Sequence, residues 1–166
     1  MTIYMINSRF PVMYTDIIAY HADYYGLDPI LITSIINVES GFNRTAVSPA
    51  GASGLMQIME PTANWIAQEM GFYDFDYEQM IFDPDINIKM GTWYINRLIN
   101  IYSNLDVALA AYNAGSGRVN SWLVDPEFSS DGETLSHIPF TETRNYVRRM
   151  DINMRIYRVL ARGSFR

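Results

Sequence analysis

The sequence predicts a mainly α-helical domain, and three observations lead to this prediction. Apolar residues recur at helical spacing along nearly the whole chain. No two segments of alternating apolar and polar residues are joined by a hairpin turn. The 166 residues, 49% of them hydrophobic, suffice for one compact core, and no Pro/Ser-rich linker divides them. We therefore expect six or seven short helices in a single domain spanning residues 1–166.

The first two helices are marked by residues that favour helix ends. A helix is predicted over residues 14–25, because Gly26 suits a left-handed helix stop. Its inward stripe is formed by Ile17, Ile18, His21, Tyr24 and Tyr25. Asp28 can cap a second helix whose first residue is Pro29 and which ends before Gly41.

The middle of the chain predicts a loop, a helix and a connector. Residues 41–54 are rich in small and polar residues without periodicity, which indicates an irregular loop returning toward the preceding helix. A third helix can begin at Pro61 and end at Gly71. The acidic and aromatic residues 72–83 that follow predict a surface connector.

The second half of the chain predicts four further helical segments. One begins at Pro84, and its core face carries Ile88, Gly91, Ile95, Leu98 and Ile101. Gly91 on that face predicts close packing against another helix. Shorter helices are predicted over 105–114 and 117–123, and a long final helix begins at Thr141.

Composition excludes several classes of protein. Without cysteine there is no disulfide framework and no thiolate metal site, and two histidines are too few for a His-rich metal centre, so we expect no metal and no cofactor. A net charge of −6 argues against nucleic acid as a partner, because such binding needs a basic surface. No targeting or membrane-spanning segment is visible in the sequence.

Glu39 is the most unusual carboxylate in the chain. It lies at the C-terminal end of an apolar helix, where desolvation and the helix dipole both act to raise the pKa of its carboxyl group. A carboxylic acid that stays protonated near neutral pH can donate a proton to a leaving oxygen, as a glycosidase general acid does. A solvated glutamate at the rim of the helix is the alternative interpretation.

Other segments are individually ambiguous. Residues 51–59 combine small residues with an amide and a thioether, which suits a strand-like wall that a ligand can approach closely. The many aromatic side chains could bind sugar rings, although most aromatic residues at helical spacing are core. Glu142 and Arg144 could form a helix cap and a surface pair.

Four short blocks occur in order along residues 14–160: Val38-Glu39-Ser40, Gly54-Leu55-Met56-Gln57, Ala111-Tyr112-Asn113-Ala114-Gly115, and Ile138-Pro139-Phe140 followed by Glu142-Thr143-Arg144-Asn145-Tyr146-Val147. A further segment, residues 48–53, follows Glu39 at a matching interval. Together they resemble the lytic transglycosylases of peptidoglycan, the soluble-type catalytic domain of glycoside hydrolase family 23. The resemblance implies a lysozyme-like, irregular helical domain with a central substrate groove.

The resemblance also implies an activity and a mechanism. Such enzymes cleave the β-1,4 bond between N-acetylmuramic acid and N-acetylglucosamine and leave a 1,6-anhydro ring on the product. Glu39 would protonate the glycosidic oxygen and then, as a carboxylate, remove a proton from the muramyl 6-hydroxyl. One buried acid therefore suffices, whereas ordinary glycosidases use two carboxylates.

Further site residues follow from the resemblance by position. Among the residues that would bind substrate, Ser48 and Gln57 would orient it, Met59 would pack near the sugar, and Tyr112 would hold Glu39. The remaining positions of this set are Asn113, Glu142 and Tyr146. One departure is that Glu60 precedes Pro61 where the family has proline first, which brings a second carboxylate near the groove.

Two other functions stay open on the sequence. A goose-type lysozyme-like muramidase would use the same acid and deliver water to the sugar, and a non-catalytic module would bind glycan without cleaving it. For the enzyme, we expect a monomer that binds peptidoglycan glycan strands on the extracytoplasmic side of the cell envelope. Since no export signal is visible, we also expect a signal or membrane anchor upstream of residue 1.

Overall fold

The computed structural model describes residues 9–161 and 164–165. Eight helices lie entirely within these residues, and no strand is present in the described part of the chain. They are α1 (Thr15–Tyr24), α2 (Pro29–Ser40), α3 (Glu60–Glu69), α4 (Tyr77–Met80), α5 (Pro84–Tyr102), α6 (Leu105–Ala114), α7 (Ser116–Leu123) and α8 (Thr141–Leu160). The expectation of a mainly α fold is confirmed.

The predicted caps determine where α1 and α2 end. The Asp28 carboxylate accepts a hydrogen bond from the Ile30 N–H at 2.9 Å, and Pro29 is the first residue of α2. Gly41 ends α2 in the left-handed region at a φ of 60°, and its N–H donates to the Asn37 carbonyl at 3.1 Å. Gly26, at a φ of 65°, follows α1. These local signals set the limits of both helices, because each one satisfies backbone N–H or C=O groups that a helix end leaves unpaired.

The chain divides into two compact units. Unit 1 comprises residues 1–93 and 153–166, and unit 2 comprises residues 94–152. In unit 1, α1 packs on α2 and α3 packs on α4. Its core is centred on fully buried residues of α1, α2, α3, the first part of α5 and the loop between α2 and α3: Ile18, Ile32, Ile35, Ile36, Leu55, Met56, Ile66 and Ile88.

The C-terminal end of α8 is anchored to the first described residues, all within unit 1. The Tyr157 hydroxyl donates to the Pro11 carbonyl at 2.9 Å, and the Tyr157 ring meets the Phe10 ring edge-on at 5.8 Å. Burial raises the pKa of Tyr157 well above its ordinary value. The phenol therefore stays protonated and keeps donating at any physiological pH.

In unit 2, α6 and α7 pack together around Gly115, which separates them. Val107, Leu109, Val119 and Trp122 are buried there. Trp122 meets Phe140 edge-on at 5.2 Å, and the Arg118 guanidinium lies 5.2 Å from the same Phe140 ring. Within the described residues, no helix combines the length and the apolar character needed to cross a bilayer.

Four sequence-based expectations about the fold are wrong in detail. Residues 72–83 are not only a surface connector, because they contain α4 and the fully buried Ile81. Tyr24 is 72% exposed and Ile101 is 57% exposed, so neither belongs to a core. Gly91 is tight against a loop residue, Met56, rather than against another helix, since a Cβ at position 91 would lie 2.7 Å from the Met56 Cε.

Candidate active site

The last turn of α2 presents Glu39 next to the loop that follows it. Glu39 is the penultimate residue of α2 and is half-buried. The neighbouring Ser40 hydroxyl donates to the Leu55 carbonyl at 2.8 Å and lies 3.2 Å from the Ile36 carbonyl. Because Leu55 belongs to the loop, this bond ties the helix end that carries Glu39 to the loop that faces it. The predicted return of the loop toward α2 is confirmed.

The loop over residues 46–58, hereafter the substrate loop, is built around Ser53. Isolated antiparallel bridges join Ser53 to Val47 and to Ile58. The Ser53 N–H donates to the Ile58 carbonyl at 3.1 Å, and the Ile58 N–H donates back to the Ser53 carbonyl at 3.0 Å. The backbone is therefore extended over a few residues, as the composition of residues 51–59 predicted. The extended stretch is too short to form a strand.

The side chains of Ser48 and Gln57 stabilise the substrate loop from within. The Ser48 hydroxyl accepts from the Ala52 N–H at 3.0 Å. Gln57 has a left-handed backbone, at a φ of 49°, and its Nε2 donates to the Gly54 carbonyl at 2.9 Å and the Ala46 carbonyl at 3.1 Å. Both residues are half-buried. The hydrogen bonds leave the Gln57 Oε1 and the Ser48 hydroxyl proton as the groups of these side chains available to a ligand.

Asn87, which the sequence analysis did not single out, holds the substrate loop against α5. Its side chain is 1% exposed. The Asn87 Oδ1 accepts from the Met56 N–H at 2.8 Å, and Nδ2 donates to the carbonyls of Ile81 at 2.9 Å and Ser53 at 3.2 Å. Gly54 lies directly against this amide, and a Cβ there would be 2.8 Å from the Ile81 carbonyl oxygen. The amide thus satisfies three backbone groups that burial would otherwise leave unpaired.

One further contact and two exposed side chains complete this part of unit 1. The Tyr77 hydroxyl of α4 donates to the Ile58 carbonyl at 3.1 Å, which braces the substrate loop from the connector. Met59 is 39% exposed and is the residue immediately before α3. Glu60, the first residue of α3, is exposed. Glu39, Ser48, Gln57 and Met59 therefore all belong to unit 1.

Tyr112 and Asn113 lie in the last turn of α6, in unit 2. Both are half-buried, and the Tyr112 ring packs against the Tyr94 ring at 5.3 Å between centroids. Burial raises the pKa of Tyr94 above its ordinary value, with a smaller opposing effect from its hydrogen bond to Ser116. Gly115 ends α6, as its position after this segment predicted, and its N–H donates to the Ala111 carbonyl at 2.9 Å.

Glu142 and Tyr146 lie one turn apart at the start of α8, also in unit 2. Glu142 is exposed, whereas Tyr146 is 1% exposed. The phenol ring of Tyr146 therefore offers almost no surface to a substrate. Arg144 donates to the Ile138 carbonyl at 2.8 Å and to the Thr141 hydroxyl at 3.2 Å. It fixes the start of α8 rather than pairing with Glu142.

The predicted site residues thus fall into a unit 1 set around the substrate loop and a unit 2 set on α6 and α8. The prediction that Tyr112 holds Glu39 joins residues of different units and stays a prediction. Across residues 9–161 and 164–165, the His, Asp and Glu side chains form no group of three or more that could hold a metal ion.

Comparison with known proteins identifies the family. Residues 16–133 match the transglycosylase SLT domain, and the chain belongs to that family. The soluble lytic murein transglycosylase of Salmonella typhimurium is 35% identical over 145 residues, which cover 86% of this chain and 22% of that protein. The chain therefore spans about a fifth of the length of this relative.

Solved structures of lytic transglycosylases have a similar fold. The 70-kDa soluble lytic transglycosylase of Escherichia coli matches with a TM-score of 0.82 and 31% identity over 93% of this chain and 25% of that one. An inactive glutamate-to-glutamine mutant of lytic transglycosylase Slt from Pseudomonas aeruginosa matches with a TM-score of 0.80 and 32% identity over the same shares. The lysozyme-like fold that the resemblance implied is confirmed by these matches.

Proposed function

We propose that this chain is the catalytic domain of a peptidoglycan lytic transglycosylase that forms 1,6-anhydromuramoyl products. The proposal is supported by membership of the SLT domain family and by the names of the relatives. The observation that carries it is the position of Glu39. This carboxyl group is half-buried on the last turn of α2, and Ser40 beside it is hydrogen-bonded to the substrate loop.

Glu39 acts first as the acid and then as the base. Its position at the negative end of α2 favours the protonated form that an acid requires. The carboxyl group gives its proton to the bridging glycosidic oxygen as the bond to the muramyl anomeric carbon breaks. The resulting carboxylate then takes the proton of the muramyl 6-hydroxyl, whose oxygen bonds to the same anomeric carbon. The acid is regenerated, and no water enters the reaction.

The substrate loop supplies the first set of binding groups. The Gln57 Oε1 accepts from a hydroxyl or acetamido N–H of the glycan, and the Ser48 hydroxyl donates to a carbonyl of it. The exposed Met59 thioether packs against a sugar ring. Because hydrogen bonds of the loop fix the Ser48 and Gln57 side chains in advance, little conformational entropy is lost when substrate binds.

Tyr112, Asn113 and Glu142 form the second set of proposed binding residues. Their exposure is compatible with contact to a ligand. Tyr146, because of its burial, is assigned a positioning role for the start of α8 instead. The domain works as a monomer on peptidoglycan glycan strands, outside the cytoplasmic membrane.

Product analysis of purified sacculi tests reaction type and acid together. The wild-type chain should release muropeptides with 1,6-anhydro ends, identified by mass spectrometry. Glu39→Gln should reduce the rate by roughly a hundredfold or more, the usual contribution of a general acid. Glu60→Gln is the matched control, since it neutralises the exposed carboxylate at the start of α3, and it should keep the anhydro products.

Three results would contradict the proposal in different ways. Products heavier by one water, with reducing ends, would identify a goose-type muramidase, and their loss in Glu60→Gln would assign the water to that residue. Binding of sacculi without any cleavage would identify a non-catalytic module. Unchanged cleavage by Glu39→Gln would show that the acid has been assigned to the wrong residue.

A further inference from the structure

A second concave surface lies in unit 1, and none of its residues belongs to the predicted catalytic and binding set. This aromatic pocket has a volume of about 560 Å³, and its rings come from Tyr20, Tyr24, Tyr25 and Trp93. Tyr20 is 67% exposed and Tyr24 is 72% exposed, so two large rings stand open to solvent one helical turn apart on α1. A concave surface lined by several aromatic rings has the shape and chemistry of a ligand site.

Helix periodicity separates the aromatic pocket from the substrate loop. Asp85, Lys89 and Trp93 recur every four residues along α5 and therefore share one face of it, which lines the pocket. Asn87 and Gly91 lie on a different face of the same helix, and that face holds the substrate loop. One helix thus serves two sites, and a ligand in one need not contact the other.

The polar groups of the aromatic pocket are held in place before any ligand arrives. The His21 Nε2 and the Asp85 Oδ1 are 2.8 Å apart, with the His21 side chain 6% exposed and that of Asp85 61% exposed. The Lys89 ammonium lies 5.3 Å from the centre of the Phe72 ring. Lys89 is the one lysine of the chain. The pocket therefore carries one fixed acceptor group and one fixed donor group of opposite charge.

We propose that the aromatic pocket is a second carbohydrate-binding site, which holds an N-acetylated glycan segment away from the bond that is cut. Sugar rings combine an apolar C–H face with a rim of hydroxyl and amide groups, and aromatic rings with few polar groups complement both. The balanced charges fit a neutral saccharide better than a polyanion, which an acidic protein of net charge −6 repels.

The source of the glycan rests on the proposed function, because a peptidoglycan strand is long enough to occupy both sites. Engagement at two sites makes the second binding event intramolecular and raises the affinity for the polymer without any new contact in the catalytic groove. Short fragments that fill only one site gain nothing from the pocket. The proposal therefore predicts different effects on polymers and on fragments.

Binding can be measured without turnover by nuclear magnetic resonance on the Glu39→Gln chain. Hexameric N-acetylglucosamine is the probe, and the Trp93 indole N–H reports on the pocket, with the buried Trp122 indole of unit 2 as the internal reference. Tyr24→Ala should raise the dissociation constant measured at Trp93 by roughly tenfold, as removal of a central aromatic contact does. Tyr73→Ala, which removes an 85% exposed tyrosine outside the pocket, should leave this dissociation constant unchanged.

The proposal is overturned if Trp93 does not respond to the saccharide, or if Tyr24→Ala and Tyr73→Ala bind it equally well. A larger response of Trp93 to a free stem peptide than to the saccharide would assign the pocket to peptide instead. Hexameric N-acetylglucosamine contains no N-acetylmuramic acid and so lacks the bond that the proposed function cuts, and the titrations therefore test the pocket even if Glu39 is not the acid.

A second test measures turnover with chains that keep Glu39. Tyr24→Ala should lower kcat/KM on sacculi by about tenfold through lost avidity, while turnover of short soluble muropeptides is unchanged. Equal losses on both substrates would overturn the proposal, because a second site affects only the polymer, and no loss on sacculi would overturn it as well.

Discussion

Asn87 illustrates how a single buried amide can set the geometry of a loop that it does not belong to. Its three hydrogen bonds reach backbone groups of Ser53, Met56 and Ile81. A buried backbone group without a partner is unfavourable by about 1–3 kcal/mol. The amide therefore fixes the register of the substrate loop and, through Ser40 and Leu55, the environment of Glu39.

Asn87→Asp tests this positioning role. The substitution keeps an oxygen for the Met56 N–H but places a second oxygen against two carbonyl oxygens, so the chain should lose roughly 2 kcal/mol or more of its unfolding free energy. At temperatures where the variant is fully folded, KM for sacculi should rise more than kcat falls, because the loop binds substrate and does not carry the acid. Steady-state kinetics and thermal unfolding measure the two effects.

Ile18→Ala is the control for stability alone. Ile18 is fully buried in α1, and its truncation should destabilise the chain by about 2–5 kcal/mol without touching the hydrogen bonds of the substrate loop. Kinetics of the folded Ile18→Ala chain should match those of wild type. If both variants change KM equally, Asn87 acts through overall stability and has no positioning role.

Sequence reasoning could single out Glu39 but not Asn87. A carboxylate that follows an apolar helical run conflicts with its setting, and such conflicts mark functional positions. Asn87 has no such signal, since an asparagine among polar residues of a helix is usually solvated and two of its three partners lie 31 and 34 residues away. Tyr24 was wrongly placed in the core because periodicity identifies a stripe but not whether another element covers it.

At the level of elements, the polar segment 125–136 of unit 2 is organised by one carboxylate. The Asp131 oxygens accept from the N–H groups of Glu133 at 2.9 Å and Thr134 at 2.7 Å, and from the Thr134 hydroxyl at 2.7 Å. The hydrogen bonds of the Thr134 side chain and backbone hold the pKa of Asp131 well below its ordinary value of 3.8. The ionised form is thus the one that the turn binds.

This lowered pKa predicts the direction of a pH effect on stability. A depressed pKa in the folded state stabilises the fold fully above the ordinary value and loses that contribution as the pH falls below 3.8. Asp131→Asn should therefore be less stable than wild type near neutral pH, and the difference should shrink in acid. Melting temperatures of both chains across this range measure it, and a constant difference at all pH values would contradict the account.

Helix ends with local signals were predictable, and elements fixed by distant contacts were not. The bounds of α2 and α6 follow from caps and glycines within the sequence window of each helix. The short helix α4 escaped prediction because its four residues carry no periodicity. Its position depends on Asp76, which accepts from the Gln79 N–H, and on the Tyr77 contact with the substrate loop.

For the molecule as a whole, the boundaries of the two units fall inside helices. One boundary lies between residues 93 and 94, within α5, and the other lies between residues 152 and 153, within α8. If one unit unfolded alone, α5 and α8 would each have to terminate in their interior. The backbone N–H and C=O groups at those new ends would lose their hydrogen-bond partners. Helix formation is cooperative along the chain, so this separation is unfavourable. We therefore propose that residues 1–166 behave as one domain.

A single unfolding transition is the corresponding prediction, and cap variants in the two units test it. Asp28→Ala removes the cap of α2 in unit 1, and Asn104→Ala removes the cap of α6 in unit 2, where the Asn104 side chain accepts from the Val107 N–H at 3.1 Å. Each loss is worth about 1 kcal/mol and should lower the same melting temperature by roughly 2–4 °C. Asp28→Asn and Asn104→Asp keep a capping oxygen and should melt close to wild type.

Calorimetry distinguishes one transition from two. Unfolding of all 166 residues together should give an enthalpy of roughly 115 kcal/mol at about 60 °C, equal to the van't Hoff value. Were the units independent, the calorimetric enthalpy would exceed the van't Hoff value, and each cap variant would shift only the transition of its own unit. Tryptophans in both units allow the same test by fluorescence, since Trp65 and Trp93 lie in unit 1 and Trp122 lies in unit 2. A shared response of all three to either cap variant would establish that the helices crossing the boundaries couple the units into one cooperative fold.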